Sequence, residues 1–406
     1  MPSRKPLLED LLVLDCASFV AGPAAATIMS DFGARVIKIE PPGAGDSYRQ
    51  LIRLPGVPIA DRDYFWLLDN RNKESLALDL KQASARAVLD DLIRRADVFV
   101  TNFPGPVRER LRLRADDILS LNERIIYASL TPYGEDGPEK DRTGYDSTAW
   151  WARSGLMSAV RPTALSEPAR SIPAMGDHPT AVALFAAIMT GLYRRQITGR
   201  GGAVSTSLLA NGLWSMGCYL QATLCGATFQ PRLERYRRSA LLETYRCRDN
   251  RWFLLSMVNH EREWPLLLGC IEREAWRDDP RFATHEARQA HMDVLVRDLE
   301  AVFAMRDWAE WKERFTAHGI TFGPIGETSD HIDCPQVEAN GLLPAFADGD
   351  GLRTVDSPIG IAGEEKVAPR MAPGIGRDTM AILEELGLSQ AQIAAMRASG
   401  AVGAAD

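Results

Sequence analysis

The chain has 406 residues, 46% hydrophobic and 25% charged, with a formal net charge of −7. That length exceeds one small core, and the composition is that of a soluble globular protein of roughly two or three domains. An acidic balance without a long basic run argues against a nucleic-acid partner, and no uninterrupted apolar run is long enough to span a membrane.

The chain opens MPSRKPLLEDLLVLD, with acids inside its first apolar run, which is neither a secretory signal nor a transit peptide. Residues 11–15, LLVLD, read as a buried strand, and AGPAAATIMSDFGA has helical spacing up to Gly33. Residues 34–40, ARVIKIE, form a second strand closed by the turn PPGAG. A third strand is expected at LALDL (76–80), then a helix over QASARAVLDDLIRRA. DVFVTNF, RADDILSLN and RIIYASL follow as strand, helix and strand. Such alternation predicts an α/β fold, a parallel sheet covered on both faces. Binding sites in such sheets lie at the carboxyl ends of the strands. No GxGxxG follows the first strand, so the Rossmann-like half lacks a dinucleotide signature; Phe19-Val20-Ala21-Gly22-Pro23 stands there instead.

From about 181 to 223 the pattern is strongly helical and so apolar that the helix reads as fully buried, with a Gly turn in TGRGGAVSTSLLANGLW leading into another strand or helix. Near 228–250 the composition turns basic and aromatic, and a strand WFLLSMV with helices through 262–318 reads as a smaller α/β domain. The Gly- and Pro-rich tail ends in a short helix. The six cysteines form no CxxC pair and the six histidines no HExxH or HxH pattern, so reduced cytoplasmic thiols and no metal site are expected.

Candidate chemistry sits in three places. Asp177 stands between Gly176 and His178 at the mouth of the long apolar helix. A carboxylate there is a helix cap by local physics, and it can also be a covalent nucleophile toward an acyl group. The stretch Asn70-Arg71-Asn72-Lys73, with Arg108, Arg110 and Arg142, supplies cations on loops that suit phosphates or form solvated surface. Tyr145, Trp150 and Trp151 form an aromatic cluster that either packs in the core or lines a pocket.

Taken in order, several stretches resemble the class III CoA-transferase family of CaiB/BaiF type, which also contains the α-methylacyl-CoA racemases. They are LLVLDCASFVAGPAAATIMSDFGARVIKIEPPGAGDSYR, NRNKESLALDL, ADVFVTNFPGPVRERL, GYDSTAWWARSGLM, PAMGDHPTA, RRQITGRGGAVSTSLL and APGIGRDTMAILEELG, seven in register over most of the chain. The resemblance implies a Rossmann-like large domain over 1–225, a small domain over 226–328, and a return to the large domain over 329–406. It implies an interlocked homodimer as well, against the usual rule that chains do not thread loops. It makes Asp177 the nucleophile, forming an aspartyl-acyl anhydride and then an aspartyl-CoA thioester.

By the same resemblance Val20, Ala21, Asn70, Arg71, Asn72, Lys73, Asn102, Phe103, Pro104, Arg110, Arg142 and Tyr145 contact CoA. The thioester is a substrate, and no permanently bound cofactor is implied. A donor such as succinyl-CoA and a small organic acid acceptor are expected, with Arg232, Arg235, Arg237 and Arg238 as candidates for a second carboxylate. The chain departs from the pattern in places. Val20 stands where formyl-CoA transferase has Gln, that enzyme's glycine-rich flap has no counterpart near 235–265, and Thr206 and Ala210 replace acids. The racemase branch is the alternative, but it carries His where Tyr145 stands, and a phenol with pKa about 10 is a poor base at neutral pH. A CoA-binding protein without catalysis is the third reading.

Overall fold

The computed structural model describes residues 5–229 and 235–403. Their contacts divide the chain into two units, Met1–Val160 with Ala169–Ala227 and Gln336–Asp406, and Arg161–Pro168 with Thr228–Pro335.

The first unit is built on a sheet whose strands are β1 (Leu12–Asp15), β2 (Arg35–Glu40), β3 (Lys73–Leu78), β4 (Val98–Thr101), β5 (Ile126–Thr131), β6 (Gly202–Ser207) and, from the chain end, β10 (Val402–Gly403). Their order is β10-β3-β2-β1-β4-β5-β6. Six strands run parallel, and β10 pairs antiparallel with β3 at one edge. Strands buried on both faces are near-continuous in apolar residues, and successive side chains point to opposite sides. Val98, Val100, Ile126, Ala128 and Leu130 thus join one core with helix Ala21–Asp31 and helix Asp177–Thr198. Phe99 and Tyr127 go to the other, with helices Ala83–Arg95, Thr379–Glu385 and Gln390–Ala398.

Three sequence expectations change. The third strand begins at Lys73, three residues before LALDL, because the Lys73 ammonium is drawn inward to a buried carboxylate on β1. Strand β10 carries too few residues to show a pattern. The apolar stretch from 181 to 223 is not buried all round. Helix Asp177–Thr198 buries one stripe, Thr180, Ala181, Leu184, Ile188 and Gly191, at spacings of one to four residues. A Cβ on Gly191 would lie 3.1 Å from methyls of Ile126 and Val204, so the missing side chain sets how near the helix lies to the sheet. Outside that stripe Tyr193 and Ile197 are exposed, Trp214 is 86% exposed, and helix Gly217–Leu224 buries none of its residues.

The second unit has its own core. Its sheet, β7 (Thr244–Arg246), β8 (Trp252–Leu255) and β9 (Phe322–Pro324), is antiparallel in the order β7-β8-β9. Phe253, Phe303, Trp311 and Phe315 pack beneath it with helix His260–Ile271.

Candidate active site

The strand order reverses at β1, which is bonded to β2 on one side and β4 on the other. A sheet that reverses direction opens a crevice at the carboxyl ends of those strands. Two loops meet there and are tied together: the Ser18 N–H donates to Asn102 Oδ1 at 2.8 Å, and Asn102 Nδ2 donates to the Ser18 carbonyl at 2.6 Å. Phe19, the next residue, has φ +61°, which costs a non-glycine residue roughly 1–2 kcal/mol. Two contacts hold it there. Its N–H donates to Asp46 Oδ1 at 3.2 Å, and its ring meets Tyr145 edge-on at 5.9 Å.

A buried ionic layer underlies the crevice. Lys38 pairs with Asp46 at 2.7 Å, and Lys73 with Asp15 at 2.8 Å. Glu40 takes Arg49 at 2.8 Å and Ser75 at 2.7 Å. Lys38, Lys73, Asp15, Asp46 and Glu40 are all buried.

Asp177 opens its helix at this edge of the sheet. Gly176 precedes it because no larger residue fits: a Cβ there would lie 2.6 Å from the Trp150 ring. The Gly176 N–H donates to Asp146 Oδ2 at 3.2 Å. No hydrogen bond reaches the Asp177 carboxylate among the described residues, so it does not act as a side-chain cap. Burial pushes its pKa up to about 7, the buried Asp146 carboxylate adds to that, and His178 opposes it. The backbone N–H groups of Asp177 and His178 both turn back to the Ala174 carbonyl, at 3.2 and 3.3 Å. The first-turn donors of this helix are therefore not aimed at an incoming group. At the start of helix Ala21–Asp31 the situation differs: among the described residues the N–H groups of Val20, Ala21 and Gly22 have no hydrogen-bond acceptor.

His178 is held by a buried acid from another element. Its Nε2 lies 3.0 Å from Asp69 Oδ1, and Asp69 Oδ2 accepts from the Tyr48 hydroxyl at 2.6 Å. Asp69 and Tyr48 are buried. Sequence reading singled out neither, nor Asp146. The signal available was their placement in or beside the quoted motifs: Asp69 immediately before NRNK, Tyr48 in GDSYR and Asp146 in GYD.

The expected CoA contacts fall into two groups. Val20, Asn102, Phe103, Pro104 and Tyr145 lie on the loops around the crevice and Ala21 at the start of helix Ala21–Asp31, with Pro104 and Tyr145 exposed and Val20 and Ala21 offering backbone alone. Arg110, on helix Gly105–Arg110, is exposed and pairs with no acid among the described residues. Arg142 pairs with Glu139 and lies over the Tyr133 ring. The NRNK cations, by contrast, point inward. Arg71 makes a two-pronged pair with Asp31 at 2.9 and 2.7 Å, and Lys73 donates to Asp15, Asn70 and the carbonyls of Pro23 and Asp69. Neither head group is free for a phosphate in this arrangement, and Asn70 is buried beside them. Asn72, with φ +62°, exchanges hydrogen bonds with the Arg370 backbone. Arg108 is occupied by Glu135 at 2.7 Å. Among the arginines of the second unit, Arg235 is held by Glu243 and Glu300, and Arg238 by Glu243. Arg232 and the Arg237 side chain lie outside what is described.

Residues 8–379 match the model of CoA-transferase family III. The chain belongs to that family. Family III members similar to it include an (R)-2-hydroxy-4-methylpentanoate CoA-transferase of Clostridioides difficile, 29% identical over 95% of this chain and 97% of that protein. A succinyl-CoA:glutarate CoA-transferase of Mus musculus is 33% identical over 84% of this chain and 77% of that protein. The crystal structure of a CAIB/BAIF family protein from Brucella suis superposes with a TM-score of 0.83 at 25% identity, covering 94% of this chain and all of that one. This family III chain is accordingly a CoA-transferase, acting on CoA thioesters and carboxylates. None of its described helices is long and apolar enough to cross a membrane.

Proposed function

We propose that Asp177 carries the acyl group and then CoA during transfer between two carboxylic acids. The observation that carries this reading is the state of its carboxylate: half-buried, unbonded among the described residues, and beside the crevice of the reversing sheet. A structural acid in such a place normally has partners, because burying a charge without them is costly. A nucleophile must keep its lone pairs free.

The steps balance without an external proton. An Asp177 oxygen adds to the thioester carbonyl, the C–S bond breaks, and CoA leaves as thiolate from an aspartyl-acyl anhydride. The thiolate attacks the aspartyl carbonyl, and the donor acid departs as carboxylate. The acceptor carboxylate then attacks the aspartyl-CoA thioester, and the thiolate returns to the new acyl carbonyl, freeing Asp177. The unaccepted N–H groups of Val20, Ala21 and Gly22 suit the oxyanion or the pantetheine carbonyls, worth about 3–4 kcal/mol per oxyanion donor in a preorganised site. Asn102, Phe103, Pro104 and Tyr145 line the CoA groove and Arg110 takes a phosphate. Asn70, Arg71, Asn72 and Lys73 shape the groove from behind rather than contacting it with charge, which amends the expectation from sequence. The donor is succinyl-CoA or a similar thioester, and the acceptor a small organic acid.

The exposed apolar faces of helices Leu208–Ser215 and Gly217–Leu224 support a homodimer in which a second copy covers them. The domain limits proposed are 1–225, 226–328 and 329–406, and the dimer is interlocked as in the family.

The test is chemical. The protein is incubated with succinyl-CoA or acetyl-CoA and hydroxylamine, and its peptides are mapped by mass. A hydroxamate at Asp177 is the expected result. Turnover with Asp177 unmodified overturns the covalent route.

A further inference from the structure

Beside Asp177 stands a chain of groups that the covalent route above leaves unused. The Tyr48 hydroxyl donates to Asp69 Oδ2 at 2.6 Å, and Asp69 Oδ1 meets His178 Nε2 at 3.0 Å. The Asp69 backbone is pinned as well, its carbonyl accepting from Thr27 Oγ1 at 2.5 Å and from Lys73 Nζ at 2.8 Å. One edge of the imidazole is therefore fixed by a rigid, buried partner. The other edge is open. His178 Nδ1 has no hydrogen-bond partner among the described residues, and the side chain keeps 42% of its surface exposed. An imidazole fixed at one nitrogen and free at the other has its donor direction set in advance.

The charge balance around Asp177 gives that free nitrogen a task. Burial, Asp146 and Asp69 raise the pKa of Asp177, and among the described residues His178 lowers it. The reaction brings a further anion, the substrate carboxylate, to this acidic place. It needs a counter-charge, and the counter-charge must leave one carboxylate oxygen free to attack. A guanidinium binds carboxylate with two parallel hydrogen bonds and occupies both oxygens. A single imidazolium N–H holds one oxygen and leaves the other nucleophilic.

We propose that His178 is the carboxylate anchor of the transfer, its Nδ1–H binding the acid that leaves Asp177 in the first half-reaction and the acid that arrives in the second. The assignment rests on the covalent reading of Asp177. Asp69 and Tyr48 are positioning residues in it, since they act through the imidazole. Protonation of His178 is favoured by its hydrogen bond to Asp69 and by the charges of Asp69, Asp177 and Asp146, against its burial. With the folded-state pKa raised, the anchor is charged at low pH and lost as pH rises through that value, with Tyr48 neutral throughout because burial and Asp69 raise its pKa.

The experiment uses isotope exchange between an acyl-CoA and its own radiolabelled acid, succinyl-CoA with succinate first and acetyl-CoA with acetate second, so no acceptor need be known. Hydroxamate formation at Asp177 from the acyl-CoA alone is measured in parallel, on the full-length protein. His178→Gln is expected to raise the KM for the labelled acid roughly 10- to 100-fold, the loss of one hydrogen bond to a charged group. Its rate of hydroxamate formation, compared at pH 9 where Asp177 is ionised with or without the His178 charge, should stay within about threefold of the unsubstituted protein, since acylation does not need the anchor. Asp69→Asn is expected to raise the same KM at pH 8 more than at pH 6. An unchanged KM in His178→Gln, or equal losses in exchange and in hydroxamate formation, overturns the assignment while leaving Asp177 as nucleophile. Absence of any hydroxamate in the unsubstituted protein overturns the covalent reading, and the anchor falls with it.

Discussion

Replacing Asp177 by Asn should make the protein more stable while abolishing transfer, and the gain should depend on pH. Moving the carboxyl from 3.8 to about 7 disfavours its ionised form in the folded state by roughly 4 kcal/mol, at about 1.4 kcal/mol per pH unit. Residual solvent around the half-buried group reduces this, and a carboxylate in the first turn of a helix recovers about 0.3–1 kcal/mol. A net gain of about 1–3 kcal/mol remains. Below pH 4 the group is protonated in both states and contributes nothing. Between pH 4 and 7 the unfolded chain ionises while the folded chain stays protonated, so the cost to the native protein accumulates. Above 7 it is complete. Urea unfolding of both proteins at pH 5, 6, 7 and 8 should show a stability difference that widens to pH 7 and then levels off. A difference that is flat across this range, or that favours Asp177 at pH 8, refutes burial as the dominant influence on the carboxylate. Transfer itself should fall at least 1,000-fold in the variant, on the order of the loss seen when a covalent nucleophile is removed.

The same ionisation sets the acid limb of catalysis: kcat/KM should fall about tenfold per unit as pH drops below about 7, measured by CoA exchange. Gly176→Ala pushes a Cβ into the Trp150 ring, so unfolding should show a loss of about 1–3 kcal/mol and transfer a loss of about 100-fold as Asp177 shifts. Arg71→Met leaves Asp31 buried without its partner and should cost roughly 3–5 kcal/mol by urea unfolding, restored in the double variant Arg71→Met/Asp31→Leu. CoA affinity of the double variant, measured by calorimetry, should match the unsubstituted protein; a fall of tenfold or more would return Arg71 to the phosphate site.

The central strands were legible because LVLD, VFVT and IYASLT are largely apolar and the helices between them carry a 3.6-residue stripe, whereas β6, GAVSTS, is half polar and reads equally as strand or helix. Asp177 was legible only through the motifs around it, since any acid before a helix reads as a cap. What the sequence hid was direction. Arg71 and Lys73 look like phosphate ligands in a row of cations, and only tertiary structure brings Asp31 and Asp15 opposite them. Likewise Asp69 is 109 residues from His178, a separation at which no spacing rule applies. The long helix was read from the sequence but starts a turn earlier, at Asp177, and its burial was misread because an apolar face is the same in sequence whether it meets a core or lies exposed.

The ionic layer beneath the crevice bears on how such an enzyme can change. Lys38, Lys73 and Arg49 neutralise Asp15, Asp46 and Glu40 almost without solvent, so altering any one of them strands its partner at a cost of roughly 3–5 kcal/mol. Viable descendants must exchange these residues in matched sets or leave them untouched. Substitution is therefore tolerated far more readily at exposed positions above the layer than within the charged floor itself.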